Sequence, residues 1–141
     1  MTPDPALRQR RQTTVIEHMT AENAYEFERC IAAFAHPRYE IVATGETFDG
    51  TDGVHQLLLQ NHTAFPDFHF HPELIHHADE AVIVEGRFTG THAGDWRGLP
   101  ASGRMLDFPL IIVFAFEGER MVCERTYFDL ATVLRQLAAG T

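Results

Sequence analysis

The sequence contains no lysine in its 141 residues. Enzymes that form a Schiff base, including those that anchor pyridoxal phosphate, use a lysine amine, so this chemistry is excluded. Ser102 is the only serine, and its surroundings, LPASGR, do not form the nucleophile elbow of serine hydrolases. The chain also lacks the glycine-rich loops that bind nucleotide phosphates. The chemistry left to the protein is that of carboxylates, histidine and tyrosine.

Positive charge is scarce as well, and the net charge is −9. Arg8, Arg10 and Arg11 form a basic cluster that is too small to neutralise a nucleic-acid backbone. No apolar run reaches the ~18 residues that span a membrane, and the start of the chain lacks the apolar segment of a signal peptide. Cys30 and Cys123 fall within apolar patterns and are predicted to be buried thiols, which suits a reducing compartment. We therefore expect a cytoplasmic protein that binds neither nucleic acid nor membrane.

The length and the 45% hydrophobic content suit one globular domain over residues 1–141. Residues 1–6 contain two prolines and are expected to form a disordered tail. The apolar spacing predicts helices over about 7–20, 21–34 and 51–64, and strands over about 39–44, 68–77, 81–92, 104–116 and 121–128. Three helices followed by a mostly antiparallel sheet form an α+β arrangement, which a short helix from Leu130 closes.

The strand LIIVFAF, at residues 110–116, is apolar on both faces. An antiparallel strand with one face in water alternates between apolar and polar residues, so both faces of this strand are expected to be covered. One face would line the core or a pocket. The other face, formed by Ile111, Val113 and Ala115, would contact a second subunit, and we therefore expect a homodimer.

The segment from Glu119 to Gly140 changes from strand to helix at Asp129. Regular alternation places Arg125, Tyr127 and Asp129 on one face of the strand, where a guanidinium, a phenol and a carboxylate could act on one ligand. Asp is also a favoured residue at the start of a helix, so Asp129 has two interpretations, a structural cap and a functional carboxylate. The two roles are compatible.

Four segments resemble the SnoaL-like polyketide cyclases, a family within the nuclear-transport-factor-two-like superfamily. They are FDG at 48–50, FPD at 65–67, GTHAGDWRGLPASGR at 90–104 and FEGERMVCERTYFDLATVLRQLA at 116–138. The resemblance implies a cone-shaped fold, in which N-terminal helices pack within a curved sheet around an apolar cavity. It also implies that dimers are frequent and that the ligand is a small apolar molecule.

The resemblance further implies roles for individual residues. Asp129 matches the general acid/base of the characterised cyclases, and desolvation in an apolar cavity would raise its pKa toward neutrality. Tyr127 and His92 are predicted to hydrogen-bond to the reacting groups, and Arg125 is predicted to bind an anionic group of the ligand. The predicted cavity walls are Phe88, Trp96, Ile112 and Phe114.

Three features depart from the cyclase pattern. Ile112 stands where a polar residue is frequent in the family. The strand LIIVFAF has no histidine where the cyclases use one, and His92 is the nearest substitute. Arg125 stands where a tryptophan is common in the family. The resemblance implies an intramolecular aldol closure, the reaction of the characterised cyclases. The departures leave this reaction and its substrate open, whereas they affect the expected fold less.

Several of the nine histidines lie in a short stretch that is predicted to be sheet. His69, His71 and Glu73 alternate on one strand face and could form a metal site of two imidazoles and a carboxylate. Phe68 and Phe70 take the opposite face, so the histidines are expected to face solvent. We therefore predict no metal site.

Together these observations predict a cofactor-free enzyme that uses acid/base catalysis. It would cyclise, isomerise or open the epoxide of a polyketide-like or terpenoid-like substrate. The alternative is a non-catalytic ligand-binding or interaction module on the same fold. A dry cavity without a perturbed carboxylate would favour that alternative.

Overall fold

The computed structural model describes residues 3–138, which form four helices and six strands. In chain order, these elements are α1 (Pro5–Asn23), α2 (Phe27–Ala32), β1 (Arg38–Ile41), β2 (Glu46–Asp49), α3 (Gly50–Ala64), β3 (His69–Ala78), β4 (Ala81–Thr91), β5 (Met105–Glu117), β6 (Arg120–Tyr127) and α4 (Leu130–Ala138). None of these helices is long and apolar enough to cross a membrane.

The first helix begins directly after Asp4, whose side chain accepts a hydrogen bond from the Leu7 amide at 2.8 Å. The prediction of a disordered tail over residues 1–6 is therefore wrong where these residues enter α1, and the first two residues lie outside the described range. The helix also extends further than predicted, to Asn23. Tyr25, with a φ of 61°, then turns the chain toward α2.

A short hairpin replaces the single strand that was predicted over about 39–44. β1 pairs antiparallel with β2 along its whole length. Gly45 lies in the turn with a φ of 72°, a left-handed conformation that glycine adopts without strain. Asp49 ends the hairpin and is also the N-cap residue of α3, so the third helix follows the sheet without a loop.

The six strands form one sheet in the order β2-β1-β6-β5-β4-β3. β1 and β6 are parallel, and all other neighbouring strands are antiparallel. The parallel pair places Tyr39 beside Glu124, which brings the first and last strands of the chain together. The sheet is open at β2 and β3. The predicted α+β arrangement with a mostly antiparallel sheet and a short C-terminal helix is thus confirmed.

An extra residue in β6 changes which of its side chains face inward. Consecutive residues of β5 pair with Met121 and with Cys123, so Val122 has no partner on β5. Such a β-bulge shifts the alternation of the strand by one residue. Met121 and Glu124 are consequently both directed inward and are 1% and 5% exposed.

Arg11 of α1 is buried although it is charged, with 3% of its surface exposed. Its guanidinium donates hydrogen bonds to the carbonyl oxygens of Asp79 and Gly118 at 2.9 and 2.8 Å. It also lies over the ring of Phe116, 5.4 Å from the ring centre. Arg11 therefore fastens α1 to the two turns that join β3 to β4 and β5 to β6.

The outer face of β5 carries the residues for which a second subunit was predicted. Ile111 is 41% exposed, and Val113 and Ala115 are half-buried. The alternate residues Ile112 and Phe114 are buried on the inner face. The strand is therefore apolar on a solvent-facing side, and the homodimer stays a prediction.

Candidate active site

A cavity of about 110 Å³ lies between the inner face of the sheet and the helices α1, α3 and α4. Much of its wall is aromatic. The phenylalanine and tryptophan residues that line it are Phe65, Phe70, Phe88, Trp96, Phe108 and Phe128. The mouth lies between α3 and the β4–β5 loop, because residues of both segments also line a wider groove on the surface. The cavity is therefore a small apolar space with one defined entrance region.

Glu124 faces this cavity from β6 and pairs with His18 of α1. Its Oε1 lies 2.9 Å from Nε2 of His18, and both residues are buried. The other ring nitrogen of His18, Nδ1, lies 2.9 Å from the carbonyl oxygen of Cys30. Because a carbonyl oxygen only accepts, Nδ1 carries a hydrogen, and the titrating proton lies between Nε2 and Glu124. The two residues form an acid/base pair that the backbone of α2 orients.

A second carboxylate, Glu22, is connected to this pair through Tyr39. The Tyr39 hydroxyl donates to Oε1 of Glu22 at 2.7 Å and lies 3.1 Å from Nε2 of His18. The Cys30 thiol donates to the same oxygen of Glu22 at 3.5 Å. Two carboxylates thus flank one imidazole within a short hydrogen-bond network.

The surroundings favour the protonated forms of this network. Burial and the nearby Glu22 raise the pKa of Glu124 to about 7, although the hydrogen bond from His18 lowers it. Burial alone would lower the pKa of His18, but hydrogen bonds and charges of Cys30 and Glu124 raise it well above its usual value. Burial also raises the pKa of Tyr39 well above its usual value and that of Cys30 to about 11. The Tyr39 phenol and the Cys30 thiol are therefore neutral in the pH range in which Glu124 gains and loses its proton.

Three potential metal ligands also meet in this network. Donor atoms of His18, Glu22 and Cys30 lie within 4.8 Å of one another. The Tyr39 hydroxyl lies within 3.4 Å of all three and fills the space between them. A zinc ion, which binds its ligands at ~2.0–2.3 Å, would require this phenol to move or to become a ligand. The contacts between these four residues are those of a hydrogen-bond network. The absence of a metal site stays a prediction.

Arg97 lies at the mouth of the cavity and is already paired with a carboxylate. Its guanidinium donates a hydrogen bond to Glu46 of β2 and lies 5.0 Å from the centre of the Trp96 ring. The hydrogen bond from Arg97 lowers the pKa of Glu46. This ion pair joins the β4–β5 loop to the β1–β2 hairpin across the mouth.

The predicted functional residues of β6 lie on the outer side of the sheet, because the bulge at Val122 reverses the alternation. Tyr127 is 41% exposed, and Arg125 lies 3.9 Å from Glu40 with 35% of its side chain exposed. The predicted orientation of Arg125, Tyr127 and Asp129 toward the cavity is therefore wrong. The expectation of an anionic ligand depended on an inward guanidinium and loses that basis.

Asp129 has the contacts of a helix cap at the start of α4. Its side chain is 67% exposed and accepts a hydrogen bond from the Thr132 hydroxyl at 2.6 Å. That hydrogen bond lowers the pKa of Asp129, whereas a raised pKa was predicted. The contacts support the structural interpretation of this residue, and its catalytic role stays an untested prediction.

The predicted cavity walls are mostly placed as expected. Phe88, Trp96 and Ile112 line the cavity. Phe114 is fully buried outside the lining, where its ring centre lies 5.7 Å from that of His18. It therefore supports the histidine of the acid/base pair and has no contact with the cavity itself.

His92 is buried but does not line the cavity. Its Nδ1 lies 2.8 Å from the Ser102 hydroxyl and accepts a hydrogen bond from the Ser102 amide at 3.2 Å. Its Nε2 has no hydrogen-bond partner within residues 3–138. The ring also packs against Phe65, which does line the cavity. His92 holds the two ends of the β4–β5 loop together, and a catalytic role for it stays a prediction.

The sequence analysis missed four residues of this site, namely His18, Glu22, Tyr39 and Glu124. One signal was available in α1, where His18 and Glu22 share a helix face with the buried Val15 and so interrupt an apolar stripe. Another was available in β6. Met121 and Phe128 are both large and apolar but lie an odd number of positions apart, so a regular strand cannot direct both inward.

The fold matches solved structures, and most of the sequence matches the profile of a protein family. The profile of the SnoaL-like polyketide cyclase family matches residues 13–137. A proposed SnoaL-like polyketide cyclase from Jannaschia sp. CCS1 is similar in structure, with a TM-score of 0.83, 18% identity and coverage of 100% of this chain and 99% of that chain. A proposed polyketide cyclase from Xanthomonas campestris pv. campestris has a TM-score of 0.84 and 18% identity, covering 93% of this chain and 98% of that chain.

A third similar structure comes from Catenulispora acidiphila DSM 44928. It has a ketosteroid isomerase-like fold and is in complex with trimethylamine; its TM-score is 0.76 at 18% identity, covering 89% of this chain and 92% of that chain. At such identities the solved structures show a shared fold only. No curated protein matches the chain. The family profile, in contrast, covers all the elements from the middle of α1 to α4, and the chain belongs to the SnoaL-like polyketide cyclase family.

Proposed function

We propose that the protein is a cofactor-free enzyme that transfers protons to and from a small apolar ligand, with Glu124 as the acid/base. The observation that carries this proposal is the buried contact of 2.9 Å between Glu124 and His18 at the cavity wall. A carboxyl group whose pKa is raised to about 7 can both accept and return a proton near neutrality. The SnoaL-like family supports the same class of chemistry.

In this proposal, the ionised Glu124 removes a proton from a C–H or O–H group of the ligand. His18 has Nε2 against the carboxylate and Nδ1–H on the carbonyl of Cys30, so its tautomer and ring orientation are fixed. The imidazolium form stabilises the carboxylate before the transfer, and after the transfer its positive charge balances the negative charge left on the ligand. Returning the proton to a second position of the ligand completes an isomerisation or a ring closure.

Tyr39 supplies a neutral hydrogen-bond donor in the same cavity. Its hydroxyl keeps its proton, because burial and two nearby carboxylates raise its pKa well above the usual value. In the free protein this proton is donated to Glu22. Redirected to a ligand oxygen, it would stabilise the negative charge that develops there when Glu124 abstracts a proton.

The size and lining of the cavity limit the reacting part of the ligand. A cavity of about 150 Å³ holds one benzene ring in another protein, and the cavity here is about 110 Å³. A larger polyketide-like or terpenoid-like substrate would therefore place only one small ring or head group inside, and its remainder would lie in the outer groove between α3 and the β4–β5 loop. Cyclisation, isomerisation and epoxide opening can each take place at one small ring or head group inside the cavity.

The test compares two carboxylates of the same chain. Small cyclic ketones are screened for solvent deuterium uptake by NMR, and small epoxides for opening by mass spectrometry. With any compound that reacts, Glu124→Gln is expected to lower the rate by at least ~100-fold, the usual size of a general acid/base contribution. Asp129→Asn removes a carboxylate outside the cavity and is the matched control, so its rate should stay within about twofold of wild type.

Thermal melting of both variants shows whether each is folded. A Glu124→Gln protein that melts normally and turns over at the wild-type rate would contradict the proposed role. A loss confined to Asp129→Asn would instead support the role first predicted for that residue. If the wild-type protein turns over no compound and a folded Glu124→Gln protein still binds the ligand as well as wild type, the non-catalytic binding module is favoured.

A further inference from the structure

The charges that face the cavity do not cancel. Among residues 3–138, the charged lining residues are Glu22, Glu124 and Arg97. Above about pH 7 Glu124 is ionised and is neutralised by the His18 imidazolium, which lies 2.9 Å away. Glu22 is a second carboxylate beside the same imidazole, because its Oε1 lies 4.0 Å from Nε2 of His18 and accepts hydrogen bonds from the Tyr39 hydroxyl and the Cys30 thiol. The inner part of the cavity therefore carries one uncompensated negative charge.

The positive charge at the mouth does not offset this excess. Arg97 is hydrogen-bonded to Glu46 and stacked on Trp96, so its charge is already balanced by a carboxylate outside the cavity. Arg125 and Arg38 both lie beside Glu40, and Arg125 is on the outer face of the sheet. A ligand that enters the cavity consequently meets a negative potential, which apolar walls screen less than bulk water does.

The walls add to this preference. Aromatic rings present a negative π face, and cations within about 6 Å of a ring centre are attracted to it. Besides Tyr39, the aromatic side chains that line the cavity are Phe65, Phe70, Phe88, Trp96, Phe108 and Phe128. Apolar walls of this kind accept a cation whose charge is spread over methyl groups, because such a cation loses little hydration when it is buried.

We propose that the cavity selects ligands with a small cationic head group, such as a tertiary or quaternary ammonium, and that Glu22 supplies the charge that selects them. This inference rests on the proposed function in that it names the ligand class of the same cavity. The volume of about 110 Å³ suits a head group of the size of tetramethylammonium. A cation next to Glu124 would also acidify the neighbouring C–H groups of the ligand that the carboxylate is proposed to deprotonate.

Three compounds with a compact cluster of methyl groups and different charge test the proposal. Tetramethylammonium is cationic, tert-butanol is neutral and closely similar in size, and pivalate is anionic and somewhat larger. Their dissociation constants are measured by calorimetry or ligand-observed NMR at pH 8, where Glu124 is ionised. Tetramethylammonium is expected to bind at least tenfold more tightly than tert-butanol, and pivalate is expected to bind more weakly than either.

Variants then identify the origin of the selectivity. Glu22→Gln should lower the affinity for tetramethylammonium at least fivefold and leave that for tert-butanol unchanged. Glu17→Gln, on the exposed face of the same helix, makes the same change in net charge and should alter neither. Should Glu22→Gln fold poorly, Phe108→Leu gives a second variant, which removes a ring and should also reduce the preference for the cation.

Equal affinity for the cation and the neutral compound, a preference for pivalate, or binding of none of the three would overturn the proposal. So would an equal loss of cation affinity in Glu17→Gln. These outcomes are separable from those of the activity test. Selective ammonium binding without turnover would remove the proposed function alone, whereas a rate loss in Glu124→Gln without charge selectivity would remove this inference alone.

Discussion

The inner and outer sides of the β6–α4 segment carry carboxylates in opposite surroundings, although the two residues lie close in sequence. Glu124 is 5% exposed beside His18, and burial raises its pKa to about 7. Asp129 has a 67% exposed side chain, and a hydrogen bond from Thr132 lowers its pKa. Both carboxyl groups have hydrogen-bond partners, so the difference between their pKa values comes from the desolvation of Glu124. The bulge at Val122 decides which of them enters the cavity, and thus which can exchange protons near neutrality.

Reversing the alternation after the bulge should have the largest effect on the protein. Deletion of Arg125 leaves Phe128 an odd number of positions from Glu124, so a regular strand cannot direct both side chains toward the cavity that they line. Either the Phe128 ring leaves the cavity wall or Glu124 leaves the cavity. Each change costs roughly 3–5 kcal/mol of unfolding free energy. Urea denaturation measures the loss.

The matched control is deletion of Val122, a second one-residue deletion in β6. It removes the unpaired residue and leaves Met121 and Glu124 two positions apart, so a regular strand still directs both inward. It should cost no more than about 1 kcal/mol, the value of one half-buried side chain. An Arg125 deletion that costs no more than the Val122 deletion would show that the alternation of β6 does not decide which side chains enter the cavity, and the comparison of the two faces would fail with it.

The pH dependence of stability should differ between wild type and Glu124→Gln. The pKa of Glu124 is raised from 4.5 to about 7 in the folded protein. Between these values the folded state holds a proton that the unfolded state has released, so wild-type stability falls as pH rises through this window. Gln cannot ionise and is close in shape to the protonated acid. Relative to wild type, the variant should therefore gain roughly 3 kcal/mol between about pH 4.5 and about pH 8.

Thermal or urea denaturation of both proteins across this pH range gives the difference directly. Asp129→Asn should show no such gain with rising pH, because the pKa of Asp129 is lowered and its contribution is lost only as pH falls. A wild-type curve parallel to that of Glu124→Gln would mean that Glu124 titrates as an ordinary surface carboxyl group.

Much of the fold followed from periodicity because it depends on neighbours in sequence. The apolar stripe Val54, Leu57 and Leu58 predicted α3 and its buried side, and all three residues are buried. Alternation located β3 to β6 within a few residues. The β1–β2 hairpin was missed, since a strand as short as β2, with polar residues at both ends, gives little periodic signal.

The site was harder to predict because it depends on contacts that are distant in sequence. His18 and Glu124 are separated by 106 positions, and the parallel pairing of β1 with β6 alone brings Tyr39 beside them. The cavity walls Phe88, Trp96 and Ile112 were predicted from strand faces and the family resemblance, and they line the cavity. The prediction for β6 failed for a specific physical reason. A single unpaired residue reverses the face of the sheet to which every following side chain points.

The most direct test of this account is an NMR titration of the side-chain carboxyl carbons, in which Glu124 and Asp129 are observed in the same sample. Glu124→Gln and Asp129→Asn each remove one signal and assign the spectrum. The account predicts that Glu124 titrates near pH 7 and Asp129 below its usual value of 3.8. A Glu124 signal that titrates near 4.5 while Asp129 titrates near neutrality would contradict the inner position of Glu124 and return the acid/base role to Asp129.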